Sequence, residues 1–457
     1  MANRYGFTNL EDEISTALQS HKTLENVLSI FEASTMFNLN ALADSCLQTI
    51  DEHSNKILSY VDFTHLSKDT LITVLKRDSF YLPETDIFLI VNEWHHRNNI
   101  TSDREVTDCV RLPLIQTESL FAEIRESGLW DTDTLFEVLR IKNLMEKDNN
   151  FGNIQQQRKC LLCKQRGRLI IEENLATYDR KASVVEGDCG PTFLTGDNLR
   201  YDTEQCYAKH VIGNKLGIVI KLEHPSIINH IKMLLRYCDN RSYCYYIELS
   251  TDRKNWNRVV DYSNYLCRSW QYIYFPETVA QYIRICGVHN NINKQFNIVS
   301  INVRYTRKLL NTQMGIIVPK TNVAVPPCAS VISGVSRIRN ALIDGIFTAY
   351  DWDCGYTCHQ LGSGFIIIQL GQPYIIDSCR LLLWDKDDRI YSYRIETSID
   401  ATTWTMAADK TMDECRSWQN LKFTARPTVF IKITGTRNTA NEVFHCVHFE
   451  CPSTVEI

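Results

Sequence analysis

The chain has 457 residues, 44% of them hydrophobic and 23% charged, with a formal net charge of -5. Single hydrophobic cores stop growing at about 250–300 residues, so a chain of this length is expected to hold several domains of roughly 100–150 residues each. A net negative charge offers no basic field for a phosphate backbone, which argues against nucleic-acid binding.

At the N-terminus, residues 1–11 are polar and acidic and lack the basic and apolar regions of a signal peptide. No apolar run of about 18 residues follows, and the expectation is a cytoplasmic protein without a transmembrane segment. Apolar residues over 23–50 (Leu24, Val27, Leu28, Phe31, Met36, Leu39, Leu42, Ala43, Cys46, Leu47, Ile50) recur at the i, i+3, i+4 spacing of amphipathic helices and predict two antiparallel helices. Ser67 is placed to cap a third helix ahead of Leu71, Val74 and Leu75. A fourth follows Pro83-Glu84-Thr85, with Ile87, Phe88, Val91 and Trp94 on one side. It ends at His95-His96-Arg97, where cations suit the helix macrodipole. Residues 118–124 and 135–144 supply the last apolar stripes. The polar stretch 146–167, with Asn149-Asn150 and Gln155-Gln156-Gln157, is expected to be a linker.

Internal repetition dominates the remainder. Cys267-Arg268-Ser269-Trp270-Gln271 recurs as Cys415-Arg416-Ser417-Trp418-Gln419, a displacement of 148, from 415 minus 267. The same displacement relates Asp239 to Asp387, Arg241 to Arg389, Tyr243 to Tyr391, Pro225 to Pro373, Trp256 to Trp404, Phe296 to Phe444 and Asn174 to Asn322, while Gly196 and Gly345 are 149 apart. Solenoid and propeller units repeat every ~20–50 residues, so this period is that of whole duplicated domains. Alternation at Tyr245, Ile247 and Leu249, and at Tyr393, Ile395 and Thr397, predicts half-buried strands. Short apolar runs separated by turn-rich loops predict an antiparallel sandwich or jelly roll in each copy, over 168–306 and 313–452.

The segments Tyr350-Asp351-Trp352-Asp353, Leu381-Leu382-Leu383-Trp384-Asp385, Ser417-Trp418-Gln419 and Phe444-His445-Cys446-Val447-His448-Phe449-Glu450-Cys451-Pro452 closely resemble the BTB-BACK-discoidin family. Arg77-Asp78-Ser79-Phe80 and Val110-Arg111-Leu112-Pro113-Leu114 are similar to its BACK domain. The resemblance implies a multidomain α then all-β fold: a BACK-like helical domain over 21–145, then two tandem discoidin-like (F5/8 type C, galactose-binding-like) jelly-roll sandwiches. Residues 1–20 resemble the last helix of a BTB domain, and the expectation is a family member lacking most of the BTB domain that would precede Arg4-Tyr5-Gly6-Phe7. Where the second copy has Trp384-Asp385, the first has drifted to Arg236-Tyr237.

Loops at one end of a sandwich are the usual binding surface, and the paired loops Asp239, Arg241, Tyr243 and Asp387, Arg389, Tyr391 combine charge with aromaticity. A structural reading stands beside that one and is favoured: an Asp-to-Arg salt bridge fixing the hairpin. Tyr350, Trp352, His359 and Trp384 form an aromatic candidate patch of the kind found in binding hot spots, with core packing as its favoured alternative. Trp270 and Trp418 are expected in the core. Cys160-x-x-Cys163 lacks a second ligand pair, so no zinc site is expected. The 17 cysteines, odd in number and scattered, are expected as reduced thiols. No phosphate-cradling glycine loop, nucleophile elbow or His-Glu-x-x-His motif is found, which argues against an enzyme and leaves no cofactor expected.

Family resemblance then implies a non-enzymatic adaptor. Its discoidin-like loops would hold a protein substrate for a cullin-3 ubiquitin ligase, with helical docking around Leu24, Val27 and Phe31. Two alternatives stay open: a discoidin-type glycan or lipid-binding module, and a truncated competitor of a full-length BTB adaptor.

Overall fold

The computed structural model describes residues 8–58, 61–148, 166–195, 207–213, 217–308 and 310–454. Residues 4–7, the Cys160-x-x-Cys163 pair, Gly196 and nearly all of the expected linker lie outside them. The described residues fall into two compact units, Met1–Ile170 with His224–Ile227, and Ile171–Glu223 with Ile228–Ile457.

The first unit is helical. The pair expected over 23–50 is Val27–Met36 and Asn40–Glu52, turned through Asn38 at φ 57°. Ser67 caps Lys68–Leu75 by accepting the Thr70 amide at 3.3 Å, and Glu84–Arg97 follows Pro83. Apolar stripes from these helices and from Thr132–Asp148 meet in one core around Leu28, Val74, Phe80, Val91 and Trp94. Trp94 satisfies its indole N–H on the Leu66 carbonyl at 3.1 Å.

Two expectations need correcting here. His95 is not an exposed side chain at the helix end. It is 2% exposed, and its ring bonds the Val91 carbonyl at 2.8 Å and accepts the Asp103 amide at 2.9 Å. Arg166, assigned to the linker, is 3% exposed within the helical unit. Its guanidinium pairs with Glu84 at 2.6 Å and donates to the carbonyls of Arg77 at 3.0 Å and Cys109 at 2.7 Å. Burying a guanidinium demands that its fork of donors be filled, and these carbonyls do that.

The second unit is all β. Its first copy contains β1 (Ser183–Glu186), β2 (Asp188–Cys189), β3 (Ala208–Val211), β4 (Ile218–Leu235), β5 (Tyr243–Ser250), β6 (Asn257–Cys267), β7 (Trp270–Asn290) and β8 (Gln295–Arg304). Its second contains β9 (Thr312–Gln313), β10 (Ile316–Ile317), β11 (Ala329–Ser333), β12 (Thr357–Gln360), β13 (Ile366–Leu383), β14 (Tyr391–Ser398), β15 (Thr405–Cys415), β16 (Trp418–Asn438) and β17 (Val443–Glu450). The orders β3-β8-β4-β7-β5-β6 and β12-β17-β13-β16-β14-β15 match strand for strand. Each copy is thus an antiparallel jelly-roll sandwich.

Equivalent residues repeat equivalent bonds. Asn174 accepts the Val303 amide at 2.9 Å, and Asn322 accepts the Cys451 amide at 2.8 Å. Tyr243 packs edge-on against Phe296 at 5.2 Å, and Tyr391 against Phe444 at 5.3 Å. The described cysteines are free. Among the described residues no helix is long and apolar enough to cross a membrane.

Candidate functional site

At one end of the second sandwich, β13 leaves the core at Leu383 and the chain crosses to β14 through Trp384, Asp385, Lys386, Asp387, Asp388 and Arg389. The tip is braced by a fork in which Arg389 Nε and Nη2 each donate to Asp387 at 2.6 Å. That bond holds the Asp387 carboxyl below its ordinary range. The Arg389 side chain is 4% exposed and the Asp387 side chain 42%, so the charge pair straddles the surface.

A second loop brings Trp352 over this tip. Asp351 accepts the amides of Asp353 at 2.8 Å and Cys354 at 2.9 Å, an Asx turn that orders the loop. Trp352 lies 4.3 Å from Trp384, ring centroid to ring centroid, and Arg389 stands 4.8 Å over its face. Trp384 is 1% exposed and Trp352 is 53% exposed. Tyr350 meets Trp384 edge-on at 5.4 Å and donates its hydroxyl to Asp385. Burial and that carboxylate push the Tyr350 phenol up. Tyr356 and His445 complete the cluster, 5.3 Å apart. Burial, with Arg389 beside it, brings His445 down to about 4. The Trp384 indole N–H is buried without an acceptor among the described residues, which costs stability unless something else accepts it.

The first copy keeps the brace and loses the platform. Arg241 donates to Asp239 through Nε at 2.6 Å and Nη2 at 2.5 Å. Arg236 occupies the place of Trp384 and lies 4.9 Å over Tyr207.

Residues 27–125 match the family described as BACK, BTB And C-terminal Kelch, and residues 196–301 and 333–449 both match the F5/8 type C domain. BTB/POZ domain-containing protein 9 of Homo sapiens is 46% identical over 456 residues, covering 99% of this chain and 72% of the human protein. The chain belongs to the BTB/POZ domain-containing protein 9 family. The Drosophila melanogaster protein of that name is 44% identical over 456 residues, covering 99% of this chain and 61% of its own length. Among solved structures, a CBM32 module produced by Clostridium perfringens overlaps 28% of this chain and 97% of its own, at 18% identity and a TM-score of 0.23. The matching domains are non-catalytic, and in this family they make a BTB-protein adaptor.

Within this family member the candidate residues divide by exposure. Trp352 is open to solvent, and Asp387 and Asp239 are partly so. Tyr243 and Tyr391 are 0% exposed and belong to the cores, so their side chains reach no partner. His359 is structural as well: its Nε2 accepts the Gly435 amide at 2.9 Å, as His210 accepts Gly287 at 2.8 Å. In the helical unit Val27 and Phe31 point into the core, and Leu24 is half-buried. The tryptophans expected in the core, Trp270 and Trp418, are instead half-buried beneath cations, with Lys232 at 4.2 Å and Arg380 at 3.6 Å. Sequence reasoning missed Tyr356, Asp385 and His445 as parts of the cluster. Their signal was available in the departure between copies, since Asp385 replaces Tyr237 and His445 replaces Asn297.

Proposed function

We propose that this adaptor holds a protein partner at the loop end of its second sandwich and delivers it, in the cytoplasm, to a cullin-3 ubiquitin ligase. The observation that carries the reading is Trp352, 53% exposed on the buried Trp384 and beside the Asp387-braced Arg389. An aromatic platform with an adjacent, immobilised guanidinium is the composition of a binding hot spot, because both groups lose little freedom on contact. Any contact of the ligase with the helical pair falls to exposed Met36 and Phe37 and half-buried Leu24, since Val27 and Phe31 are committed to the core.

Two measurements test this. Tagged full chain and its Trp352→Ala variant are compared for the proteins they co-purify, and a partner set that Trp352→Ala leaves unchanged rejects the loop end. Recovery of cullin-3 is then scored beside a BTB-containing relative, and failure where the relative succeeds rejects the ligase role.

A glycan or anionic lipid headgroup is the second reading. It is supported by the exposed ring of Trp352, an aromatic face open to stacking by a ligand. Glycan-array and liposome binding by the full chain separates the two, and silence in both assays removes the second.

A further inference from the structure

The identical pentapeptides at 267–271 and 415–419 adopt the same local structure in different surroundings. Ser269 and Ser417 both turn through φ 61°. Ser269 O accepts the Leu235 amide at 3.0 Å and Ser417 O accepts the Leu383 amide at 3.1 Å. Gln271 Nε2 donates to the carbonyls of Arg268 at 3.0 Å and Trp270 at 3.1 Å. Gln419 Nε2 repeats this on Arg416 at 2.9 Å and Trp418 at 3.1 Å. The turn is one rigid template made twice.

In the first copy the template is occupied. Gly371 O, from β13 of the second sandwich, accepts both the Arg268 amide and Gln271 Nε2 at 2.7 Å. Next to it the Gln372 side chain brackets Tyr272, accepting its amide at 2.5 Å and donating to its carbonyl at 2.9 Å. The approach favours glycine, for a Cβ on Gly371 would stand 3.0 Å from both the Arg268 and Trp270 carbonyl oxygens, besides 2.9 Å from the Cys328 carbonyl of its own sandwich. Arg268 is 4% exposed and Gln271 0%.

In the second copy Arg416 is exposed, Gln419 is half-buried, and Asn420 stands exposed where Tyr272 is bracketed. Over residues 418–422, β16 pairs with β13 and with no second strand among the described residues. We infer that residues 416–420 form a docking edge for an extended segment of a partner protein that carries Gly-Gln, held as Gly371-Gln372 is held in the first copy. The chain does not supply this segment itself: Gly371-Gln372 is already engaged, and the equivalent residues of the first copy are Glu223-His224. One main-chain bond to the Arg416 amide, the Gln419 side chain on the ligand's glycine carbonyl and the ligand's glutamine on residue 420 give such a ligand its affinity, and the close approach at its glycine gives selectivity. This edge adjoins the Trp352 platform, since Arg416 donates to the Asp387 carbonyl at 2.9 Å and Ser417 to the Asp385 carboxylate, and the Trp352→Ala variant tells the two readings apart.

The test uses a labelled peptide Gln-Leu-Gly-Gln-Pro-Tyr, the sequence of residues 369–374, titrated with the full chain by fluorescence anisotropy. Saturable binding is expected. It should weaken about tenfold or more when the peptide glycine becomes alanine, and likewise in the chain variants Asn420→Pro, which removes an edge donor, and Gln419→Leu. Trp352→Ala should leave it unchanged, and circular dichroism melts establish that each variant folds. Absence of saturable binding, equal affinity for the alanine peptide, or binding that survives both chain variants because the peptide has invaded residues 268–272 overturns the inference.

Discussion

Two tryptophans 4.3 Å apart do different work. Trp384 is 1% exposed, so Trp384→Ala should cost about 3–5 kcal/mol through lost burial and a cavity. Trp352 is 53% exposed, and Trp352→Ala should lower stability by about 1 kcal/mol or less while removing the binding platform. Urea unfolding of both variants checks the contrast. His445 sets a pH dependence. Its ring is held at about 4 in the fold against about 6.5 when unfolded, so protonation favours the unfolded chain. The stability it contributes is complete above pH ~6.5, declines as pH falls, and is gone below the folded value of about 4. Asn297 fills the equivalent place in the first copy and, with its amide oxygen toward Arg241, accepts Nη1 at 3.1 Å. His445→Asn should therefore flatten the fall in urea midpoint between pH 7 and pH 4.5, and an unchanged slope would contradict the assignment.

Strands, turns and pairings repeat at 148-residue spacing because each copy solves the same packing problem. Gly435 and Gly287 show it most sharply: a Cβ on either would meet the ring of Phe444 or Phe296 at 2.3–2.4 Å. Overpacking at a rigid ring costs about 1–3 kcal/mol, so Gly435→Ala should lower the unfolding free energy measured in urea by that order. This level of structure was legible in the chain itself. Alternation exposed Tyr245-Ile247-Leu249 as a strand face, and the repeated Asn174 and Asn322 marked a bond made twice. What resisted reading depends on partners far away in sequence. Trp270 and Trp418 look like core residues by type, yet each roofs a strand beneath Lys232 or Arg380. Arg166 looks like polar linker until Glu84, 82 positions earlier, receives it.

Across the β unit, two copies with one ancestry have taken different tasks. The first sandwich spends its Arg268–Gln271 turn on the second, and Gln369 adds a bond to Ser242 at 2.9 Å. The second leaves Arg416 and Asn420 exposed at the ends of the corresponding turn, beside the aromatic loop end that the first has lost to Arg236 and Tyr237. Duplication supplied a braced tip in both copies, and divergence at a few loop positions left one turn joined to its neighbour and the other open, as the proposed binding role requires. No composition or periodicity carries that distinction, because the pentapeptides are the same five residues. Their identity makes the decisive measurement direct, since the Arg268 and Arg416 amides, each preceded by a cysteine, have matched intrinsic exchange rates. Hydrogen–deuterium exchange on the full chain should find the Arg268 amide protected by Gly371, and the Arg416 amide exchanging at least about tenfold faster. Equal protection of the two turns would show that the copies are not used differently, and would contradict the account.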